Sequence, residues 1–477
     1  MNANFLHSVR LLQRRAFLAQ SCRGLGAIAL SSLLAERAYA AEKQEKWRGV
    51  ITKPHVTAKI KRVIFMVMAG GASHLELWDN KPELAKRHGQ PMPESITKGQ
   101  PIAQLQGAKL TCFGPQWGFK KHGQSGQEMN ELFVHLPEVA DDLCIVRSAK
   151  TEAINHDPAH TFMNTGSTVS GRPSMGSWLT YGLGAEADDL PGFVVLTSNG
   201  RGGQNQPIAA RQWAAGFLPG EFQGVQLRSQ GDPVLYLPNP PGVESAQQRD
   251  VIDAVSALNK MQNAAVDDPE IATRISQYEL AFRMQTSVPA LMQFKDEPAK
   301  VLDMYGTKGP DGSFAGNCLL ARRLAQKGVR FIQLYHRDWD HHGAIKQGIK
   351  FKIEEVDQPL AALIKDLKRL GMFDDTLIVF TGEFGRTPMS QGGNGRDHHM
   401  KGFSILLAGG GIKGGLSYGA TDEFGYNAEE KIFPIHDLHA TMLHLLGIDH
   451  QRLTFRFQGR DYRLTDVHGN VVKEILA

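Results

Sequence analysis

The stretch KRVIFMVMAGG, residues 61–71, sets the expectation for the fold. Val63 to Ala69 are all apolar and show no polar–apolar alternation, which predicts a strand buried on both faces that ends at a glycine turn. Five later, largely apolar runs also predict strands, namely CIVRSAK (144–150), PGFVVLTS (191–198), VRFIQLY (329–335), DTLIVFTG (375–382) and FSILLAGGG (403–411).

Helical patterns alternate with these apolar runs. The segment IEEVDQPLAALIKDLKRLG, residues 353–371, keeps apolar residues at helical spacing, and HDLHATMLHLLG, residues 436–447, predicts a helix closed by Gly447. CLLARRLAQKG, residues 318–328, predicts a further helix before the VRFIQLY strand. Such alternation predicts an α/β fold with a central, mostly parallel sheet covered by helices on both faces.

The first 40 residues differ from the rest of the chain in charge. They contain five arginines and one glutamate, whereas lysine plus arginine equals aspartate plus glutamate over the remainder. Arg14 and Arg15 precede a short, weakly apolar stretch and the Ala38–Ala40 triplet AYA, which predicts a removable export signal of the twin-arginine type over residues 1–40. An ordinary secretory signal is the alternative.

The remaining chain, residues 41–477, is predicted to be one domain. It has a polar helical insertion near residues 245–295 and no long apolar run. With net charge near zero, it shows no basic footprint for nucleic acid, and no stable membrane insertion is expected. Because the first 40 residues predict an export signal, the mature protein is expected to be periplasmic or extracellular.

Polar clusters follow several predicted strands. Because ligands bind beyond the carboxyl ends of strands in open α/β sheets, these clusters are expected to converge. Imidazole and carboxylate are ligands of transition metals. A divalent transition metal is therefore expected, with zinc as the first candidate and manganese or iron as alternatives. No G-x-S-x-G elbow is present, the glycine turn after VIFMVM is not a dinucleotide fingerprint, and GGGIKGG (409–415) lacks the Lys-Ser/Thr ending of a phosphate loop. The clusters are Ser73, His74, Glu76 and Asp79; His156, Asp157 and His160; His336, Asp338, Asp340, His341 and His342; Glu383 and Arg386; and Asp397, His398 and His399.

Several longer motifs lie along the chain, namely AGGASHLELWDNKPEL (69–84), RPSMGSWLTYGLG (172–184), DWDHHG (338–343), GEFGRTP (382–388), GRDHH (395–399) and HDLHATMLHLLGIDH (436–450). Together they resemble one family of exported proteins of planctomycete-type bacteria, the domain of unknown function 1501. The resemblance covers nearly the whole mature chain and implies membership of the alkaline phosphatase and sulfatase superfamily, with metal sites at the carboxyl edge of the sheet.

The superfamily pattern can be carried over residue by residue. HDPAHTFMNTG, residues 156–166, looks like the sulfatase nucleophile helix with His156 at the nucleophile position and His160 in place of an arginine. The resemblance implies that Arg386 clamps an anionic group and that Asp79 reaches the site from its loop. The implied metal ligands are Asp79, His156, Asp340, His342 and Glu383, with His398 or His399 as the late histidine ligand.

Two functions follow as expectations. The first is an exported metal-dependent hydrolase of phosphate or sulfate esters, acting on an anionic small molecule or saccharide ester. The second is a non-catalytic binding protein on the same scaffold, working with a cytochrome-domain partner. Histidine at the nucleophile position leaves open whether the chain is an enzyme, and redox chemistry at an iron centre is a third, weaker alternative.

Overall fold

Nine strands form the central sheet of the computed structural model, which describes residues 47–234, 239, 242–266 and 269–477. The export signal predicted over residues 1–40 lies outside these residues. These strands are β1 Arg62–Met68, β2 Leu143–Lys150, β3 Phe193–Ser198, β4 Val225–Gln226, β5 Phe331–His336, β6 Thr376–Thr381, β9 Phe403–Gly409, β10 Leu416–Tyr418 and β11 Phe433–Pro434. Strands β7 Gly385–Gln391 and β8 Gly395–His399 form a separate hairpin. The spatial order in the central sheet is β10–β2–β9–β6–β1–β5–β3–β4, and β11 pairs with β2.

Eight of the nine strands run in one direction. The central strand β1 is parallel to β5 and β6, and β3 and β4 continue this direction. Only β9 runs against its neighbours β6 and β2 in the sheet. The mostly parallel sheet predicted from the sequence is confirmed, and each of the six apolar runs forms a strand.

Helices cover both faces of the sheet. These helices are α1 His156–Thr165, α2 Met175–Leu183, α3 Ser245–Val266, α4 Pro269–Met292, α5 Ala299–Tyr305, α6 Phe314–Gln326, α7 Ile345–Arg369 and α8 Ile435–Leu445. On one face of the sheet, Ile64 and Met66 of β1 pack into a hydrophobic cluster with α4, α6 and α7. On the other face, Val63 and Phe65 pack into a second cluster with α1, α2 and α8.

Shorter elements complete the described chain. They are the helical turns His74–Leu77, Pro82–Lys86 and Glu94–Thr97, the 3₁₀ turns Leu136–Asp142, Ala210–Trp213, Gly220–Phe222, Phe373–Asp375 and Lys473–Ile475, and the hairpins Phe119–His122 with Gln127–Asn130, Ala420–Thr421 with Ala428–Glu430, and Phe455–Phe457 with Arg460–Tyr462. Among the described residues, no helix combines the length and apolar character needed to cross a bilayer.

Helix α7 is longer than the predicted amphipathic segment. It starts at Ile345, eight residues before Ile353, because Ile345 and Ile349 extend the buried apolar stripe at four-residue spacing. Its first turn therefore directly follows the polar loop after β5. Cys112, Cys144 and Cys318 are buried free thiols.

Candidate metal centre

The direction of the strands brings five polar segments to one edge of the sheet. The loops after β1, β2, β5 and β6 leave at the carboxyl ends of parallel strands, where ligand sites form in α/β sheets. Strand β9 runs the other way, so its amino end lies at this same edge, with Ile405 beside Thr381 at the end of β6. The hairpin that precedes β9 is consequently placed at this edge as well.

Four side chains converge here, and they come from three of these segments. His156 begins α1, Asp340 and His342 follow β5, and His398 lies on β8. One potential ligand atom from each residue lies within 4.8 Å of the others. The side chain of Asp340 is 1% exposed, whereas His156 and His342 are 14% and 13% exposed, so the cluster is buried on one side and reachable on the other.

Each histidine of the cluster has an oxygen partner for its Nδ1 atom. His156 Nδ1 lies 2.7 Å from Glu383 Oε1, and His398 Nδ1 lies 2.9 Å from the carbonyl oxygen of Ile154. His342 Nδ1 lies 2.6 Å from Gln391 Oε1. Carbonyl and carboxylate oxygens only accept hydrogen bonds, so each Nδ1 donates, and each imidazole presents a lone pair at Nε2 once it is in its neutral form.

The Nε2 atoms face one another in a way that calls for a cation. His342 Nε2 and His398 Nε2 are 3.0 Å apart, and two lone pairs at that distance repel unless a cation lies between them. His156 Nε2 is buried and has no hydrogen-bond partner among the described residues. Histidines that donate Nδ1–H to oxygen and direct Nε2 to a common point are the usual arrangement of metal ligands.

The separations between donor atoms fit a small transition metal. Asp340 Oδ1 is 3.0 Å from His342 Nε2 and 3.5 Å from His398 Nε2, and Asp340 Oδ2 is 3.4 Å from His156 Nε2. A tetrahedral zinc with ligand distances of about 2.0–2.1 Å places neighbouring donors roughly 3.4 Å apart. Three imidazoles and one carboxylate also match the donor preferences of zinc, manganese and iron.

Electrostatics around the cluster keep Asp340 ionised. Burial opposes its charge, but contacts with the three histidines and with Arg386 hold the pKa of this carboxyl well below its usual range. Burial likewise disfavours charge on His156, yet the carboxylates of Asp340 and Glu383 outweigh it and raise the pKa of the imidazole to about 9. In the metal-free protein, His156 is therefore a cation at neutral pH, with protons on both ring nitrogens. A metal that binds Nε2 must displace the proton on that atom.

Glu383 lies behind the cluster and supports it. Its carboxylate accepts the backbone N–H of Gly70 at 3.0 Å and 3.2 Å and faces His160 Nε2 at 3.4 Å. Burial raises the pKa of this carboxyl, but His160 and His156 prevail and hold it at about 2. Burial lowers the pKa of His160, whose ring nitrogens have no hydrogen-bond partner among the described residues.

Two glycines permit the close approach of the site loops. Gly70 has φ +123°, and a Cβ atom there would lie 2.4 Å from the backbone nitrogen of Asp340. Gly395 crosses the loop after β5, where a Cβ atom would lie 2.0 Å from the carbonyl oxygen of His342. Any side chain at either position would push the ligand-bearing loop away from its neighbours.

The structure leaves three predicted ligands outside the group of four converging donors. Asp79 pairs with Lys81 at 3.1 Å and accepts a hydrogen bond from Thr421, so its carboxylate is engaged in the loop. His399 bonds to the carbonyl of Tyr426, because neighbouring residues of a strand point to opposite sides and His398 faces the cluster. Glu383 contacts His156 and lies outside the group of four converging donors.

Arg386 also has a different setting from the one expected. Its guanidinium is fully buried and donates to the carbonyl oxygens of Gly71 and Arg396, at 2.8 Å and 3.1 Å, as well as to Gly70 and Asp340. These contacts direct the side chain inward. Arg386 therefore positions Asp340 and joins the β1 loop to the hairpin, and its fork is not presented to a ligand.

Sequence reasoning missed three residues that contact the ligands. Gln206 donates to Asp340 Oδ2 at 2.6 Å, and Gln391 holds His342. The ring of Phe384 packs against His156 and His398 at centroid distances of 5.0 Å and 4.7 Å. Gln206 follows strand β3 at the same edge, so the rule applied to the acidic and histidine clusters could have found it had amides been considered.

Fold and site together define an α/β protein with a His₃Asp candidate metal centre at the carboxyl edge of its sheet. The chain belongs to the family described as "Protein of unknown function (DUF1501)", which matches residues 60–476. No curated protein matches the sequence.

Solved structures give a more distant likeness. They include the PsFucS1 sulfatase from Pseudoalteromonas sp., with 12% identity, TM-score 0.34, and coverage of 95% of this chain and 75% of that one. The lipoteichoic acid synthase LtaP from Listeria monocytogenes has 10% identity, TM-score 0.34 and coverage of 83% and 74%. A protein in the alkaline phosphatase superfamily from Vibrio parahaemolyticus has 11% identity, TM-score 0.32 and coverage of 83% and 68%.

Proposed function

We propose that the protein is a metal-dependent hydrolase of phosphate or sulfate esters. The observation that supports this most directly is the convergence of three imidazole Nε2 atoms and the Asp340 carboxylate at the carboxyl edge of the sheet. His156, Asp340, His342 and His398 would hold a divalent transition metal, with zinc as the first candidate. When bound, such a metal would provide Lewis acidity and activate a water molecule.

The protein residues around the metal have distinct roles in this proposal. Glu383 orients His156 through Nδ1, and Gln391 does the same for His342. Arg386 and Gln206 fix the two oxygens of Asp340. The partial exposure of His156 and His342 leaves one side of the centre open to an anionic ester, as a catalytic site requires.

His156 has the role of a ligand in this proposal, although it stands where the sulfatase-like pattern has its nucleophile. Its Nε2 atom faces Asp340, and its Nδ1 atom is held by Glu383. Both ring nitrogens are thereby directed to protein groups at the centre. The attacking group is accordingly a water molecule, and no covalent enzyme intermediate is part of the proposal.

A binding protein without catalytic activity is the second candidate. The observation that favours it is the inward setting of Arg386, which removes the expected anion clamp from the site. Export by the twin-arginine route to the periplasm or cell exterior, and a cytochrome-domain partner for the binding protein, complete the proposals. Iron-based redox chemistry is the third.

The hydrolase proposal is tested with the mature chain loaded separately with zinc, manganese or iron(II). Release of 4-nitrophenol from its phosphate and sulfate esters is compared between the native protein, Asp340→Asn and the control Asp374→Asn. Asp374 is exposed beside the opposite end of β6. We expect turnover that Asp340→Asn abolishes and Asp374→Asn retains. Stoichiometric metal without turnover of any ester would favour the binding protein.

A further inference from the structure

A cavity of about 370 Å³ is lined by residues that lie near the metal ligands in the chain, and the proposed function leaves it unused. It is here called the lysine cavity. Its volume falls in the range of roughly 300–1,000 Å³ that small-molecule sites occupy. Its lining consists of Lys150, Thr151, Glu152, Phe162, Met400, Lys401, Asn427, Ala428, Ile432 and Pro434.

The chain path keeps this cavity close to the metal ligands. Met400 is two residues from His398, so their Cα atoms are at most about 7 Å apart. The backbone N–H of Thr151 donates to the carbonyl of Met400 at 2.9 Å, and Ile154 holds His398 at the same distance. The two segments therefore run side by side from the cavity to the centre.

One loop borders both places. Gln100 accepts a hydrogen bond from Lys401 of the cavity. Gln104, four residues later, accepts one from Gln391, the residue that holds His342 at the centre. The backbone N–H groups of Gln104 and Leu105 are anchored on the carboxylate of Asp397, at 2.6 Å and 3.0 Å. One loop is thus hydrogen-bonded both to a lining residue of the cavity and to Gln391, which holds His342.

The chemistry of the lining points to a particular kind of ligand. Met400 and Pro434 are half-buried and provide apolar surface, Lys150 and Glu152 are exposed, and Lys401 is half-buried. The lining has a net positive charge, and Lys401 donates to the uncharged side chain of Gln100. Apolar surface with a cationic rim suits a ring that carries an anionic substituent.

We propose that the lysine cavity binds the leaving-group half of the substrate, and that this half is a ring-shaped alcohol bearing a sulfate or phosphate of its own. The inference rests on the proposed hydrolase function, because it places the cleaved ester at the metal centre and the second anion at the lysines. Lys150 and Lys401 are then the residues that determine specificity for doubly charged esters.

The test uses product-like probes, which need no turnover. Binding of glucose 6-phosphate, glucose 6-sulfate and uncharged glucose to the metal-loaded protein is measured by calorimetry. We expect binding of at least one charged probe and none of glucose. A double variant, Lys150→Gln with Lys401→Gln, should weaken that binding roughly tenfold, since each exposed ion pair contributes about 0.2–1 kcal/mol.

Two controls make the result specific. The double variant Lys150→Arg with Lys401→Arg keeps the charge and should bind within threefold of the native protein. Lys327→Gln removes an exposed lysine that directly follows the end of α6. This variant should bind the charged probes with native affinity. The phosphate and sulfate probes distinguish which anion the cavity prefers.

The outcomes separate this inference from the proposed function. Charged-probe binding that is unchanged in the double glutamine variant, or absent from the native protein, overturns the inference even if esters are hydrolysed. Lysine-dependent binding without ester hydrolysis overturns the hydrolase proposal and leaves an anion-binding cavity.

Discussion

Replacing Glu383 with glutamine tests the proposed metal centre without touching a ligand. The native carboxylate accepts two N–H groups, from His156 Nδ1 at 2.7 Å and from Gly70. Glutamine has the same size but only one oxygen, so its NH₂ group must face one of these donors. If it faces His156, the imidazole proton moves to Nε2, and that nitrogen can no longer bind a metal.

The size of the effect follows from the contact that is lost. A hydrogen bond to a charged group contributes about 1.5–3 kcal/mol, and Glu383 is fully buried, so water cannot replace the carboxylate. Loss of such an outer partner of a metal-binding histidine typically weakens metal affinity by about 10- to 100-fold. We expect a loss in this range, equivalent to about 1.4–2.7 kcal/mol of binding free energy.

The assay is a zinc competition titration against a chromophoric chelator at pH 7.4, with circular dichroism to verify the fold. Glu355→Gln is the matched control, because Glu355 holds His336 at 3.1 Å in a carboxylate–histidine pair outside the cluster. The control should retain native zinc affinity. Equal zinc affinity in Glu383→Gln and the native protein, with both folded, would refute the role given to Glu383 and the ligand geometry of His156.

Three further predictions concern the same centre. The pKa of about 9 at His156 means that zinc displaces a proton below that pH, so a titration series should show affinity rising about tenfold per unit from pH 7 to 8.5; a flat profile contradicts this. Gly70→Ala should cost about 2–4 kcal/mol in urea unfolding because its Cβ meets Asp340, whereas Gly107→Ala, at φ +74° in open space, should cost about 1 kcal/mol; equal costs would refute the close approach. Arg386→Met should lower the free energy of unfolding by about 3–5 kcal/mol, as expected for breaking a buried ion pair, and an unchanged fold with altered substrate binding would instead favour an anion clamp.

Much of the fold could be predicted because its signals are local. A strand buried on both faces needs a continuous apolar run, and all six such runs became strands of the sheet. The start of α7 was missed because Ile345 and Ile349 are separated by polar residues that gave a weak pattern near the DHHG turn. The reversed direction of β9 depends on its long-range pairing with β2 and β6, which no local pattern reports.

The site was predictable only where position along a strand decides it. Asp340 and His342 follow β5 directly, and the rule for carboxyl ends places them correctly at the edge. The choice between His398 and His399 depends on the register of the β7–β8 hairpin, which has an irregularity between Arg396 and His398. The inward direction of Arg386 depends on carbonyl groups of Gly70 and Gly71, in the turn after β1, more than 300 residues earlier in the chain.

The central claim is a metal held by four converging side chains, and elemental analysis tests it most directly. The mature protein, purified from its own host, is compared with His156→Ala and Asp340→Ala, with Asp374→Asn as the control. We predict one zinc, manganese or iron per chain in the native protein and the control, and loss of that metal in both ligand variants. A native, folded protein without transition metal, or one whose metal persists in both variants, would contradict the account.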